Sequence, residues 1–112
     1  MNKYRNIKTE FDGIKFDSRK EAARWAELKL MERMELIHDL QRQVPFELIP
    51  SQRDGNGKVV ERATKYVADF VYTTRTGKQV VEDAKSEATR TDVYKIKKKL
   101  MRERYGIEIQ EV

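Results

Sequence analysis

Apolar and polar positions along this chain alternate, shift to helical spacing, alternate again and then repeat the shift. Ile7 to Phe11 and Ile14 to Phe16 flank Asp12-Gly13, which predicts a β-hairpin closed by a type I′ turn. Ser18-x-x-Glu21 has the form of a capping box and opens a helix. Ala23, Ala26, Leu30, Met34 and Ile37 form one apolar stripe on it. Glu21, Trp25 and Leu28 mark a second, so the helix is expected to be buried on two sides. Residues 41–49 read as a strand that Pro45 confines to a sheet edge or a bulge. Residues 50–58 read as a mobile loop able to approach a ligand.

Two strands follow, at roughly 64–73 and 79–85 by their alternation. A three-residue loop Arg75-Thr76-Gly77, with Gly77 at positive φ, pairs Thr74 with Lys78. Tyr66, Phe70 and Tyr72 are expected to share one face, packed on a helix. Val67, Asp69 and Val71 take the other, and Val81, Asp83 and Lys85 likewise share a face. A last helix over about 91–105 turns Val93, Ile96 and Leu100 inward, with Tyr94 and Met101 beside them, and ends at Gly106 before a strand at 107–112. The pattern predicts one α/β (α+β) domain over residues 1–112: hairpin, helix, three strands, helix, strand.

Composition narrows the chemistry. Charged and hydrophobic residues each make up 38% of the chain and are interleaved, as in a folded, highly charged domain. No apolar run is long enough to span a membrane, and the first ten residues lack the apolar core of a signal peptide, so a cytoplasmic protein is expected. Without cysteine and with His38 as the single histidine, disulfides, thiolate sites and multi-histidine metal sites are excluded. His38 itself suits a surface or helix-end position. The net charge is +5, and residues 74–104 carry 10 Lys/Arg against 5 Asp/Glu. Such an excess suits a polyanionic partner, nucleic acid first, or simply a solvated face.

The chemistry concentrates where acids interrupt apolar strand faces. The hairpin register sets Asp69 opposite Asp83, with Cβ atoms roughly 4.5–5.5 Å apart, an arrangement that repels unless a cation or a lysine intervenes. Lys85 lies about 6.6 Å further along the same face. Two readings stand at this point: an oxygen-ligand site for Mg²⁺ or Mn²⁺, or a structural ion pair in which Lys85 neutralises both acids. Glu82 points to the other face and becomes the alternative ligand if a bulge shifts the strand by one residue. Glu21 is explained by the capping box, yet its carboxylate is also placed to complete a metal shell. Lys95, Lys98, Lys99 and Arg102 form a basic face on the last helix, suited to phosphate contacts or to solvent.

These residues resemble the PD-(D/E)XK nuclease superfamily. The resemblance sets Asp69 at the first motif acid, Asp83-Ala84-Lys85 at the (D/E)XK triplet, and Glu21 at the glutamate many members carry on the first helix. The stretches FDGIKFDSRKEAARWAELK, YVADFVY, VVEDAKS and TDVYKIKKKLM look like a group of small phage-encoded proteins of that superfamily. Alanine rather than proline precedes Asp69, and the pair Glu82-Asp83 leaves two carboxylates for one motif position. The resemblance implies a restriction-endonuclease-like core and a Mg²⁺- or Mn²⁺-dependent DNA endonuclease. In it Asp69, Asp83 and Glu21 hold metal, and Lys85 acts on water or phosphate. It further implies host-cell cytoplasm and similarity to Holliday-junction resolvases, hence branched DNA as substrate and, since two symmetric cuts are needed, a homodimer. The competing expectation is a nucleic-acid-binding module that keeps the fold without cleavage.

Overall fold

The computed structural model describes residues 9–84 and 89–112. β1 (Thr9–Phe11) and β2 (Ile14–Phe16) form the expected hairpin, with Asp12 and Gly13 both at positive φ (55° and 76°), as a type I′ turn demands. α1 (Arg19–Arg33) starts at Ser18, whose Oγ accepts the Glu21 N–H at 3.1 Å. Then come β3 (Ile37–Ile49), a short antiparallel pair β4 (Gln52–Arg53) and β5 (Val59–Glu61), β6 (Thr64–Thr74), β7 (Gln79–Asp83), α2 (Asp92–Tyr105) and β8 (Gln110–Glu111).

The main sheet runs β3-β6-β7-β8, antiparallel except for the parallel β7–β8 pair. β3 lies at its edge, where Pro45 is tolerated. The β6–β7 turn has the expected loop: the Thr74 N–H donates to the Lys78 carbonyl at 2.8 Å, and Gly77 sits at φ 87°. Thr73 then pairs with Gln79 and Phe70 with Glu82. One residue further, this register sets Asp69 across from Asp83.

The two helices cover opposite faces. Against α1, Phe70 and Tyr72 pack with Phe16, Ala22, Trp25, Leu28 and Ile37, the Trp25 and Phe70 rings stacking at 5.9 Å. Against α2, Val71 and Val81 pack with Leu48, Tyr66, Ala68, Tyr94, Met101 and Ile109. Tyr66 therefore does not share a face with Phe70 and Tyr72, nor Val67 with Val71, contrary to strict alternation. Tyr66 and Ala68 belong to the α2 core, Phe70 to the α1 core, so the alternation slips at Asp69. β3 slips at the matching point: Arg42 lies 4.7 Å over the Phe16 ring on the α1 side, while Val44 and Phe46 pack on the α2 side. Between them Gln43 adopts φ 54°, a left-handed conformation that resets which way the strand's side chains point. The ladder itself stays in step, Arg42 with Phe70 and Val44 with Ala68.

Three further expectations need correction. α1 is buried on one side only: Leu30 and Met34 are 53% and 58% exposed, because the sheet contacts the Trp25–Leu28 side and no described element covers the other. α2 is rotated from the expected face, with Tyr94 and Met101 buried, Leu100 half-buried, and Val93 and Ile96 exposed at 62% and 57%. Tyr94 wins that position because its ring fills the core while its hydroxyl reaches Glu111 at 2.8 Å. Residues 50–58 are not simply a loop, since β4 and β5 pair across them.

Glu82 points to the α1 side, opposite Asp83. It is 2% exposed and receives Arg24 in a fork, Nε at 2.8 Å and Nη2 at 2.7 Å, together with the Tyr72 hydroxyl. This ties α1 to the sheet. Replacing Arg24 by alanine strands a buried carboxylate and is expected to cost about 3 kcal/mol in urea unfolding at pH 7. Adding Glu82→Gln should recover most of that loss; equal stabilities of Arg24→Ala and the parent protein would refute the tie.

Candidate metal and phosphate site

Three carboxylates approach one another where the strand alternation slips. Glu21 comes from the first turn of α1, Asp69 from the irregular point of β6, and Asp83 from the end of β7. Glu21 and Asp83 are buried and Asp69 half-buried. Ser18 caps the helix as expected, and the Glu21 carboxylate is drawn toward β3. Gln43 Nε2 donates to Glu21 Oε1 and to Asp69 Oδ1, each at 3.2 Å, and Arg42 Nη2 stands 3.6 Å from Glu21 Oε1. The left-handed backbone of Gln43 is what allows this one amide to reach both acids.

The other oxygens are held from the sheet. Asp69 Oδ2 accepts the Ala84 N–H at 2.8 Å, and Asp83 Oδ2 accepts the Tyr66 hydroxyl at 2.5 Å. The Asp83 carbonyl accepts the Val112 N–H at 3.0 Å, which pins the C-terminal strand beside the site. The Asp69 carboxyl is pushed up to about 7, first by burial and then by the charges of Asp83 and Glu21, against the lowering effect of the Ala84 N–H; a hydrogen bond between the two aspartates adds to the rise. Glu21 is also raised, by burial first and by Asp17 and Asp83, with Arg42 pulling the other way. Burial and its bond to Asp83 keep the Tyr66 phenol protonated and a donor.

Among the described residues no three acidic, histidine or cysteine side chains are gathered into a ready-made ion cage. The donor set nevertheless fits a hard divalent cation. It consists of carboxylate oxygens on adjacent strands, and the repulsion that raises Asp69 is what a cation between them would relieve. Asp69 and Asp83 would hold the ion, with Glu21 completing the shell once Gln43 releases it.

A cleft of about 300 Å³ opens beside Asp83, between the start of β6 and α2. Tyr66, Thr91 and Tyr94 line it, and Lys65 and Lys97 place two ammonium groups at its edges. Neither lysine has an ion-pair partner among the described residues. The basic residues of α2 are placed differently. Lys95 and Lys99 are indeed exposed, but Lys98 lies 3.3 Å from Glu111, and Arg102 is clamped on Glu108 at 2.6 and 2.9 Å. Lys85 lies outside the described residues. Glu82 is removed from this side of the sheet and committed to Arg24, and His38 is an exposed residue at the start of β3.

Nothing in the sequence marks Gln43, Lys65 or Lys97 as site residues, and Tyr66 stands out in it only as an aromatic expected to pack on a helix. A neutral amide acquires meaning solely through the two acids it bridges. A family model described as "Protein of unknown function (DUF1064)" matches residues 1–111. No curated protein and no solved structure matches the chain.

Proposed function

This chain belongs to the DUF1064 family, whose description assigns no function, and we propose that it is a metal-dependent DNA endonuclease hydrolysing phosphodiester bonds. The observation that carries the reading is the meeting of Asp69 and Asp83 across adjacent strands, with Glu21 linked to Asp69 through Gln43. Facing carboxylates cost folding energy and repel phosphate, so a site meant only to hold nucleic acid has no use for them. Bound Mg²⁺ or Mn²⁺ would lower the pKa of a coordinated water and offset charge on the phosphate. Lys65 and Lys97 flank the cleft in which a phosphate backbone would lie against Asp83. Lys85, two residues beyond Asp83, is assigned to the attacking water or the phosphate on the sequence resemblance alone.

Branched DNA of the Holliday-junction type is the proposed substrate class, and its two symmetric cuts require a homodimer. No described helix is long and apolar enough to cross a membrane. A second reading is favoured by the hydrogen bonds that the acid cluster already accepts: Tyr66, Ala84 and Gln43 donate to it without an ion, as in a binding module that keeps the fold and does not cut.

Labelled four-way junction, flap, duplex and single-stranded DNA, incubated with Mg²⁺, Mn²⁺ or EDTA, separate the two. Metal-dependent cutting, fastest on the junction, is the expected result. Tight binding with no cutting of any form in either metal would establish the non-catalytic module. Sedimentation at working concentration tests the dimer.

A further inference from the structure

Every residue from Ile49 to Arg62 is exposed, although much of the segment is regular structure. β4 and β5 continue the β3–β6 pair outward as a two-stranded ribbon beyond both cores. Its tip is well made: Asp54 Oδ1 accepts the N–H groups of Asn56 at 2.8 Å and Lys58 at 3.0 Å, the Asp54 N–H donates to the Lys58 carbonyl at 2.9 Å, and Gly57 sits at φ 82°. Arg53 Nη1 donates to the Gly57 carbonyl at 2.7 Å. A two-stranded ribbon with neither face packed is marginal by itself, so this one is built to meet something.

We propose that the β4–β5 ribbon is a docking arm that enters a groove of duplex DNA beside the carboxylate site, an assignment that rests on the nuclease reading above for the nature of the partner. Arg53, Lys58, Arg62 and Lys65 place four cations on the arm and its base against Asp54, Glu61 and, opposite Lys65, Glu47, and the Asp54 carboxylate is turned inward on the tip's own N–H groups. The major groove admits a two-stranded β-ribbon, and Lys/Arg along such a ribbon meet the phosphates that flank it. Val59 and Val60 are neighbours on a strand and so point to opposite faces, giving either face an apolar contact for a base edge. Lys65 stands at the arm's root and at the edge of the Asp83 cleft together. From there to Lys58 is seven residues, at most about 23 Å of chain, which fits within one turn of duplex. The arm therefore sets where along the duplex the cleft falls, while the cleft does the cutting.

The test uses the full chain and a variant carrying Arg53→Ala, Lys58→Ala and Arg62→Ala. All three positions are solvent-facing, and unchanged melting confirms the fold. Binding to a fluorescent 30-base-pair duplex is followed by anisotropy in EDTA over a series of salt concentrations, and cleavage is measured separately in Mg²⁺ at saturating protein. Expected is at least a tenfold loss of affinity and a salt-dependence slope smaller by about 3, one for each phosphate contact removed. Unchanged affinity and slope overturn the docking arm, even if metal-dependent cutting persists. A parent protein that binds through the arm and never cuts overturns the nuclease reading and leaves the arm standing. A parent dimer that the variant converts to monomer, with DNA affinity unaltered, assigns the arm to a second copy of this chain and overturns the DNA partner.

Discussion

Asp83→Ala is expected to lower metal-dependent cleavage by on the order of 10²–10³-fold or more while leaving duplex affinity in EDTA within about twofold. The asymmetry follows from placement. Asp83 is 3% exposed and holds Tyr66 on one side and Asp69 on the other, so without metal it offers a phosphate no favourable contact that alanine would take away. Lys65 and Lys97, which would meet it, are untouched by the change. In the proposed site Asp83 gives up an oxygen ligand that alanine does not supply, and a nearby Glu82 cannot take over because it lies through the sheet, clamped by Arg24. Measuring single-turnover cleavage and anisotropy on the same preparations checks both halves. Cleavage undiminished in Asp83→Ala would remove the mechanism; parallel loss of binding would recast Asp83 as a residue that shapes the cleft. Thermal melting separates either outcome from misfolding: relief of the repulsion with Asp69 offsets the Tyr66 hydrogen bond that is lost, so the variant is expected to stay folded in EDTA at pH 8.

What the sequence made legible was set by local chemistry. Asp12-Gly13 dictates its turn, and Gly77 dictates the β6–β7 register, from which the opposition of Asp69 and Asp83 follows by counting. Pro45 identified an edge strand for the same reason, a missing donor. The face of α2 was not legible, because Val93-Ile96-Leu100 and Tyr94-Met101 are both apolar at helical spacing and a partner remote in sequence, Glu111, decides between them. The ribbon escaped because a strand exposed on both faces carries no apolar alternation to read. The break at Gln43 is the costliest omission. A non-glycine residue at φ 54° inside a strand has no sequence signature, yet it brings Glu21 and Asp69 onto one amide and turns two neighbouring strand faces into a site. Gln43, not a further charged residue, is therefore what converts three scattered acids into one electrostatic unit.

That unit makes stability depend on pH in a direction opposite to the usual one for paired carboxylates. Asp69 has its folded value pushed up to about 7 from an ordinary 3.8, so between those limits the folded chain keeps a proton that the unfolded chain has released. Stability is thus greatest below the ordinary value, declines as pH rises through the window from about 4 to 7, and is lowest above it. Glu21, raised as well, steepens the same decline. Full conversion of the Asp69 shift would exceed 4 kcal/mol, but the group is only half-buried and solvent screens it, so about 2 kcal/mol is expected. For a chain of this size that is on the order of 8 °C in melting temperature. Asp69→Asn cannot ionise and should melt close to the parent protein at about pH 4, where Asp69 is neutral in the fold, and progressively above it as pH rises, by several degrees at pH 8, in EDTA. If a divalent cation occupies the cluster, millimolar Mg²⁺ or Mn²⁺ will raise the parent's melting temperature more at pH 8 than at pH 5, because the cation binds the ionised pair, and the Asn variant will lose most of that gain. Identical pH profiles for the two proteins would show that Asp69 is not held in a repelling cluster. A pH-dependent difference without any response to metal would keep the cluster and assign it to the hydrogen-bonded, ion-free reading. The carboxylates therefore report on their own purpose through stability alone, before any DNA is added.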